Sequence, residues 1–108
     1  MLQCTTQEQF KELLHGFHSP TFLVWFSASW CGPCQRMDKK TLEETAEEMD
    51  LPFYYCDESV NRDTIDAVGI RSFPTFVLYD KGSEVSRRVS ADTTKVCQYI
   101  RKCGLANH

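Results

Sequence analysis

Cys31 and Cys34 are separated by Gly32 and Pro33 and preceded by Trp30. Two cysteines at this spacing can close a small disulfide, because the Cα atoms of a bridged pair lie within about 7 Å of each other. They stand where an apolar run, Phe22 to Phe26, gives way to a helix-like pattern after Pro33. A Cys-x-x-Cys at the mouth of a helix, beside a β-α-β pattern, reads as a redox motif. The attacking species in disulfide chemistry is a thiolate, and the unpaired N–H groups and dipole of a helix N-terminus favour a negative sulfur. Cys31, just ahead of the helix, is therefore the expected exposed nucleophile. Cys34, one turn in and shielded, is the expected resolving thiol. Cys31 attacks a substrate disulfide, a mixed disulfide forms, and Cys34 displaces it to leave a redox-active Cys31–Cys34 bridge. Pro33 stiffens the ring so formed, and Gly32 keeps a side chain out of the approach. A structural zinc needs four ligands, and the chain has no second Cys-x-x-Cys and no His-x-x-x-His. Neither a metal nor a cofactor is expected.

The elements that must hold this pair follow from periodicity. Thr21 to Ser27 is short and apolar nearly throughout, which suits a central strand covered on both faces, as in a parallel sheet. One helix is predicted from Gly32 to Met49, with Pro33 in its first turn, where a missing N–H costs nothing. Met37, Leu42, Ala46 and Met49 form its inner face. An earlier helix follows a capping box, Thr5 with Glu8, and buries Phe10, Leu13, Leu14 and Phe17 at helical spacing. Residues 1–4 are read as a short edge strand and Pro52 to Asp57 as a further strand. A helix capped by Ser59 runs to Val68 and stops at Gly69. Thr75 to Tyr79 and Glu84 to Val89 form a hairpin about the turn Asp80–Ser83. A last helix, capped by Asp92 or Thr93, turns Val96, Tyr99, Ile100 and Cys103 inward. Crossover helices demand parallel pairing and the short turn an antiparallel pair, so the class is α/β with a mixed sheet.

The 108 residues, 42% of them hydrophobic and 25% charged, match a soluble globular protein of one domain, residues 1–108, able to enclose its own core. A net charge of −3 with mixed signs offers nothing to nucleic acid or an anionic membrane. Met1 to Thr5 lacks the basic region and apolar core of a signal peptide, and no apolar run reaches spanning length. A reducing compartment, the cytosol, is expected, where a reactive cysteine pair is catalytic rather than structural. Cys4, Cys56, Cys97 and Cys103 are scattered; Cys4 and Cys56 are read as buried strand residues and Cys103 as core. Cys97 and Cys103 cannot bridge within one helix, since six residues rise about 9 Å. Arg36 and Arg71 are placed beside the pair, chiefly as solvated charge. His15, His18 and His108 form no constellation with it.

Phe26 to Cys34, read Phe-Ser-Ala-Ser-Trp-Cys-Gly-Pro-Cys, resembles the active-site signature of the thioredoxin family, and the order of elements is similar to that family's from end to end. A second match, Gly69-Ile70-Arg71-Ser72-Phe73-Pro74-Thr75, resembles the family loop whose proline is cis. The resemblance implies a thioredoxin fold, a central mixed five-stranded sheet flanked by four helices. It implies a monomeric protein-disulfide reductase that acts on disulfide-containing proteins and is recharged by a reductase or small dithiol. By the same resemblance Pro74 is cis against the cysteine pair, the Phe73 backbone holds an extended substrate segment, and Trp30, Gly32 and Pro33 complete the substrate-binding surface.

The chain also departs from that pattern. Most thioredoxins carry a buried Asp before Phe-Ser-Ala, assigned to proton transfer with the resolving cysteine; here Trp25 stands there. The Lys that often pairs with that Asp aligns with Phe53. A buried ion pair can be exchanged for packed apolar groups at little cost, so space filling is the favoured reading, and loss of the standard base for Cys34 the functional one. The family's helix-kinking proline is Lys39, which predicts a straighter helix, and a Gly beside the active site is matched by Ser90. Two other functions compete: an oxidase or isomerase domain of the same fold, against which Gly32-Pro33 argues, and a binding module without turnover.

Overall fold

Phe22 to Ser27 of strand β2 (Thr21–Ser27) are all buried. A run without polar alternation has no face for water, so it belongs at the middle of a sheet covered on both sides. The structure, a computed structural model describing residues 1–16 and 18–106, places it there. The sheet order is β1-β3-β2-β4-β5, with β1 at Leu2–Gln3, β3 at Phe53–Asp57, β4 at Thr75–Asp80 and β5 at Ser83–Val89. Strand β3 runs parallel to β1 and β2, and β4 runs antiparallel to β2 and β5. The helices are α1 (Gln7–Leu14), α2 (Gly32–Gln35), α3 (Lys39–Glu48), α4 (Arg62–Val68) and α5 (Thr93–Ala106). The expected mixed five-stranded α/β sheet is thus observed. The hairpin turn is made by Lys81 and Gly82, both at positive φ (52° and 83°), the two-residue geometry whose twist matches the flanking strands.

The period-2 alternation of β2 divides the core in two. Leu23 and Trp25 face Phe53, Tyr55, Phe76 and Leu78 and are covered by Leu42 and Ala46 of α3 and Val96 and Ile100 of α5. Phe22, Val24 and Phe26 face the other way, with Tyr54, Val77 and Tyr79, and are covered by Phe10 and Leu13 of α1 and Ile65 of α4. Phe17, expected on the inner face of the first helix, lies outside the described residues, as does His108.

Local chemistry corrects several boundaries. The N-cap of α1 is Thr6, whose side chain accepts the Gln9 N–H at 3.0 Å, while Gln9 Oε1 accepts the Thr5 N–H at 2.8 Å. The box is therefore built one residue later, with Gln9 rather than Glu8. Asn61, not Ser59, caps α4, accepting the Thr64 N–H at 3.3 Å; Ser59 is held instead by the Asp57 carboxylate. Asp92 caps α5, accepting the Lys95 N–H at 3.1 Å.

The largest correction concerns the long helix. It is two helices, not one, so among the described residues five helices flank the sheet rather than four. The break falls at Arg36–Asp38, where Asp38 leaves helical geometry (φ −81°, ψ 91°) and becomes the N-cap of α3. Its carboxylate accepts the Thr41 N–H at 3.1 Å and the Thr41 hydroxyl at 2.8 Å. Its own N–H donates to Thr93 Oγ1 at 3.2 Å, on the first residue of α5. An Asp that finds backbone and hydroxyl donors three residues on competes with helix continuation. Lys39, standing where a proline does the same work in the family, opens α3 and sets its ammonium 5.2 Å from the Tyr55 ring centre, in cation–π range.

Gly104 of α5 packs against Met49, the C-cap of α3; a Cβ there would lie 2.6 Å from Met49 Cε and 2.7 Å from Met49 Cβ. Gly104→Ala gains helix propensity worth up to about 1 kcal/mol but overpacks by about 1–3 kcal/mol. The expected net is a loss of about 1 kcal/mol, read as a lower urea midpoint; a midpoint at or above the parent's contradicts it.

Candidate active site

β2 ends at Ser27, and Ala28 begins a tight loop that delivers the chain to α2. The Cys31 N–H donates to the Ala28 carbonyl at 3.0 Å and Gln35 Nε2 donates to the same carbonyl at 3.1 Å. Loop and helix are thereby clamped at one acceptor. Cys31 is the N-cap of α2, a position that presents a side-chain acceptor to the helix's unpaired N–H groups. The sulfur fills that role: Cys34 N–H donates to Cys31 Sγ at 3.2 Å. Cys31 and Cys34 are joined by a disulfide, with Cα atoms 5.3 Å apart. Cys31, expected to be exposed, is only 6% exposed, with Phe73 packed on it, and Cys34 is wholly buried. Because α2 has four residues rather than eighteen, the local N–H of Cys34 does the work expected of a long helix dipole.

The second segment arrives from the loop between α4 and β4. Gly69 ends α4 in the left-handed conformation (φ 74°), and the Phe73–Pro74 peptide is cis. Thr75 Oγ1 donates to the Ser72 carbonyl at 2.6 Å, pinning the turn. Phe73 packs on the cluster of Ala28, Cys31 and Cys34, and its carbonyl oxygen lies 3.8 Å from Cys31 Sγ. Pro74 is buried and Pro33 exposed. Trp30, 67% exposed, meets the Phe73 ring edge-on at 5.6 Å. The residues singled out by the two motifs, Trp30 to Cys34 and Phe73–Pro74, are thus brought together although Phe73 lies 42 positions after Cys31.

Arg36 and Arg71 are both exposed. The Arg36 guanidinium lies over Gly32, 3.0 Å from where a Cβ would stand, so the space left by the glycine is used by an arginine. Ser90 Oγ accepts the Asp92 N–H at 3.1 Å and so belongs to the entry of α5.

Trp25 does not belong to the cluster around the cysteines. It stacks on Phe53 (6.3 Å, 12°) and Phe76 (5.3 Å, 29°), with Tyr55 edge-on at 5.1 Å. The two positions that hold an acid and a base in the family pattern stack here as an aromatic pair. Among the described residues the buried polar side chains are Ser27, Thr45, Asn61, Thr64 and Thr75, with no carboxylate.

Motif reading did not find Glu58. Its Oε2 accepts the Trp30 indole N–H at 3.2 Å, and its Oε1 pairs with Arg62 at 2.8 Å; Arg62 also holds Asp66 at 3.0 Å. Trp30, Glu58, Arg62, Ile70, Arg71 and Phe73 line a groove of about 460 Å³ beside the disulfide. The i,i+4 spacing of Glu58, Arg62 and Asp66 was visible; that its first carboxylate anchors a tryptophan 28 positions earlier was not. Glu58→Ala should free the indole. Loss of one hydrogen bond predicts about a 2- to 10-fold fall in kcat/KM toward a protein disulfide and easier acrylamide quenching of Trp30; an unchanged quenching constant contradicts the anchor.

The family model described as "Thioredoxin" matches residues 1–102. The chain is 37% identical over 81 residues to a thioredoxin of Geodia cydonium, covering 75% of this chain and 76% of that one. It is 30% identical over 94 residues to a thioredoxin of Malassezia sympodialis, covering 85% and 88%. Among solved structures, Plasmodium falciparum thioredoxin superposes with a TM-score of 0.85 at 28% identity, over 94% of this chain and 98% of that one.

Proposed function

This chain belongs to the thioredoxin family, and we propose that it reduces protein disulfides with Cys31 as nucleophile and Cys34 as resolving thiol. The observation that carries the division of roles is the N-cap geometry: Cys31 Sγ receives the Cys34 N–H at 3.2 Å and faces the Phe73 carbonyl at 3.8 Å, while Cys34 is closed off from solvent. A donated N–H favours the thiolate over the thiol, and the attacking thiolate must be the outer sulfur.

In the reduced protein the Cys31 thiolate attacks one sulfur of a substrate disulfide and expels the other as a thiolate. Cys34 then loses its proton and attacks Cys31 Sγ, releasing the second substrate sulfur and re-forming the intramolecular bridge. Trp30, Gly32, Pro33, Phe73 and cis Pro74 make the surface on which an extended substrate segment lies, its backbone bonded to that of Phe73. A reductase or small dithiol returns the two electrons. The partners are disulfide-bearing proteins met by a monomer in the cytosol.

Insulin reduction by dithiothreitol tests the reading directly. The parent should accelerate it, Cys31→Ser should fall to the rate of dithiothreitol alone, and Cys34→Ser should accumulate the mixed disulfide. A Cys31→Ser variant as active as the parent refutes the assignment. An equilibrium potential near the thioredoxin value of about −270 mV, rather than about −180 mV, separates a reductase from an isomerase.

Among the described residues no buried carboxylate stands ready for the proton on Cys34, so water or the leaving thiolate takes it. Trp25→Asp alone would bury a charge against Phe53, so the acid is restored together with its base, as Trp25→Asp/Phe53→Lys. That variant should add an inflection to the pH–rate profile of single-turnover reduction. A profile identical to the parent's contradicts the proposal.

A further inference from the structure

Four cysteines remain outside the active-site bridge, and all four are buried thiols. Cys97 and Cys103 lie six residues apart on α5 and cannot reach one another. Cys4 and Cys56 stand differently. In the parallel pairing of β1 with β3, Leu2 lies opposite Tyr54 and Gln3 opposite Tyr55, and the ladder continues with Cys4 N–H donating to the Tyr55 carbonyl at 2.9 Å. The next pair in that register is Cys4 with Cys56. Both side chains enter the same face of the sheet, the one packed by α1 and α4. Neighbouring strands lie about 4.8 Å apart, inside the roughly 4.4–6.8 Å range of Cα separations that a disulfide spans.

Cys4 and Cys56 belong to the same buried cluster; the neighbouring Cys56 side chain holds the Cys4 pKa below its ordinary value, against burial, while Cys4 and burial together push that of Cys56 up. Asn61 fixes the Cys4 end, its Nδ2 donating to the Cys4 carbonyl at 3.2 Å and lying 3.9 Å from Cys4 Sγ. Access is governed by β1, an edge strand of two residues whose Leu2 is 61% exposed. Such short edges open locally at far lower cost than the sheet centre, and opening β1 uncovers Cys4 first.

We propose that Cys4 and Cys56 are a second redox pair, which closes into a disulfide that staples β1 to β3 on the sheet face packed by α1 and α4. The oxidant is a low-molecular-weight disulfide. Cys4 thiolate attacks one of its sulfurs and expels the first thiol; Cys56 then attacks Cys4 Sγ of the mixed disulfide and expels the second. One external disulfide is reduced to two thiols, which carry away both protons, and the Cys4–Cys56 pair is oxidised by two electrons. Because β1 must open first, this exchange is slower than that of Cys31 and Cys34. A dithiol reverses it.

The test uses the full chain, with oxidised glutathione as the probe under native conditions, then acid quenching, thiol counting in denaturant and peptide mapping by mass spectrometry. In Cys31→Ser/Cys34→Ser the four remaining thiols should fall to two, a peptide joining Cys4 to Cys56 should appear, and dithiothreitol should restore all four. Adding Cys4→Ser should abolish that peptide. The unmodified chain, which needs no variant to fold, should end with two thiols and both bridges. Four thiols surviving in the double variant, a stable glutathione adduct on Cys4 beside a free Cys56, or cross-links to Cys97 or Cys103 would each overturn the proposal.

Discussion

The organising constraint of this molecule is that β2 is buried on both faces. Six consecutive buried residues, Phe22 to Ser27, oblige the chain to supply two layers of cover, and the sheet and all the longer helices are disposed to do so. The consequence for chemistry lies at the strand's C-terminal end. A central strand held by β3 on one side and β4 on the other cannot shift, so the loop after Ser27 starts from a fixed point. Ala28 then anchors both Cys31 and Gln35 through one carbonyl, and the sulfur that begins α2 inherits that rigidity.

The neighbouring strands add the rest of the site by the same logic. β4 pairs with β2 so that Phe26 faces Thr75, which brings the turn before β4, with Phe73 and Pro74, to the same end of the sheet as the cysteines. β3 pairs so that Ser27 faces Asp57, and Glu58, one residue on, reaches Trp30. Strand pairing in register thus collects three loops at one end of the sheet. The cap at Asp38, its N–H tied to Thr93, separates α2 from α3.

Trp25 shows how a core can absorb the loss of a charged pair. Its ring lies between Phe53 and Phe76 with Tyr55 at its edge, so the volume an acid and a lysine would occupy is filled by stacked aromatics. Burial of that much apolar surface stabilises the sheet without the desolvation cost of ions. The N–H that Cys31 Sγ receives comes from the backbone of Cys34, so the exchange at Trp25 leaves that contact untouched.

The sequence alone pointed to the cysteine pair, to the strand that leads into it and to the faces that pack the core. Cysteine spacing, the unbroken apolar run before it and the helical spacing of Leu42 and Ala46, or of Val96 and Ile100, are local patterns, and local patterns survive into the fold because backbone period dictates which side chains share a face. The hairpin was legible for the same reason, since Lys81-Gly82 sits between two strand-like runs. What the chain could not disclose locally was register between distant segments. The break at Asp38 depends partly on Thr93, 55 positions away; the Trp30 anchor is a carboxylate 28 positions on; and Cys4 comes to stand beside Cys56 because β1 pairs with β3 in the register that sets Gln3 opposite Tyr55. Each is a contact between elements whose own patterns are indifferent to one another, so tertiary packing decided it. The chemistry of the cysteine pair was written in nine consecutive residues, whereas its surroundings were set by the sheet.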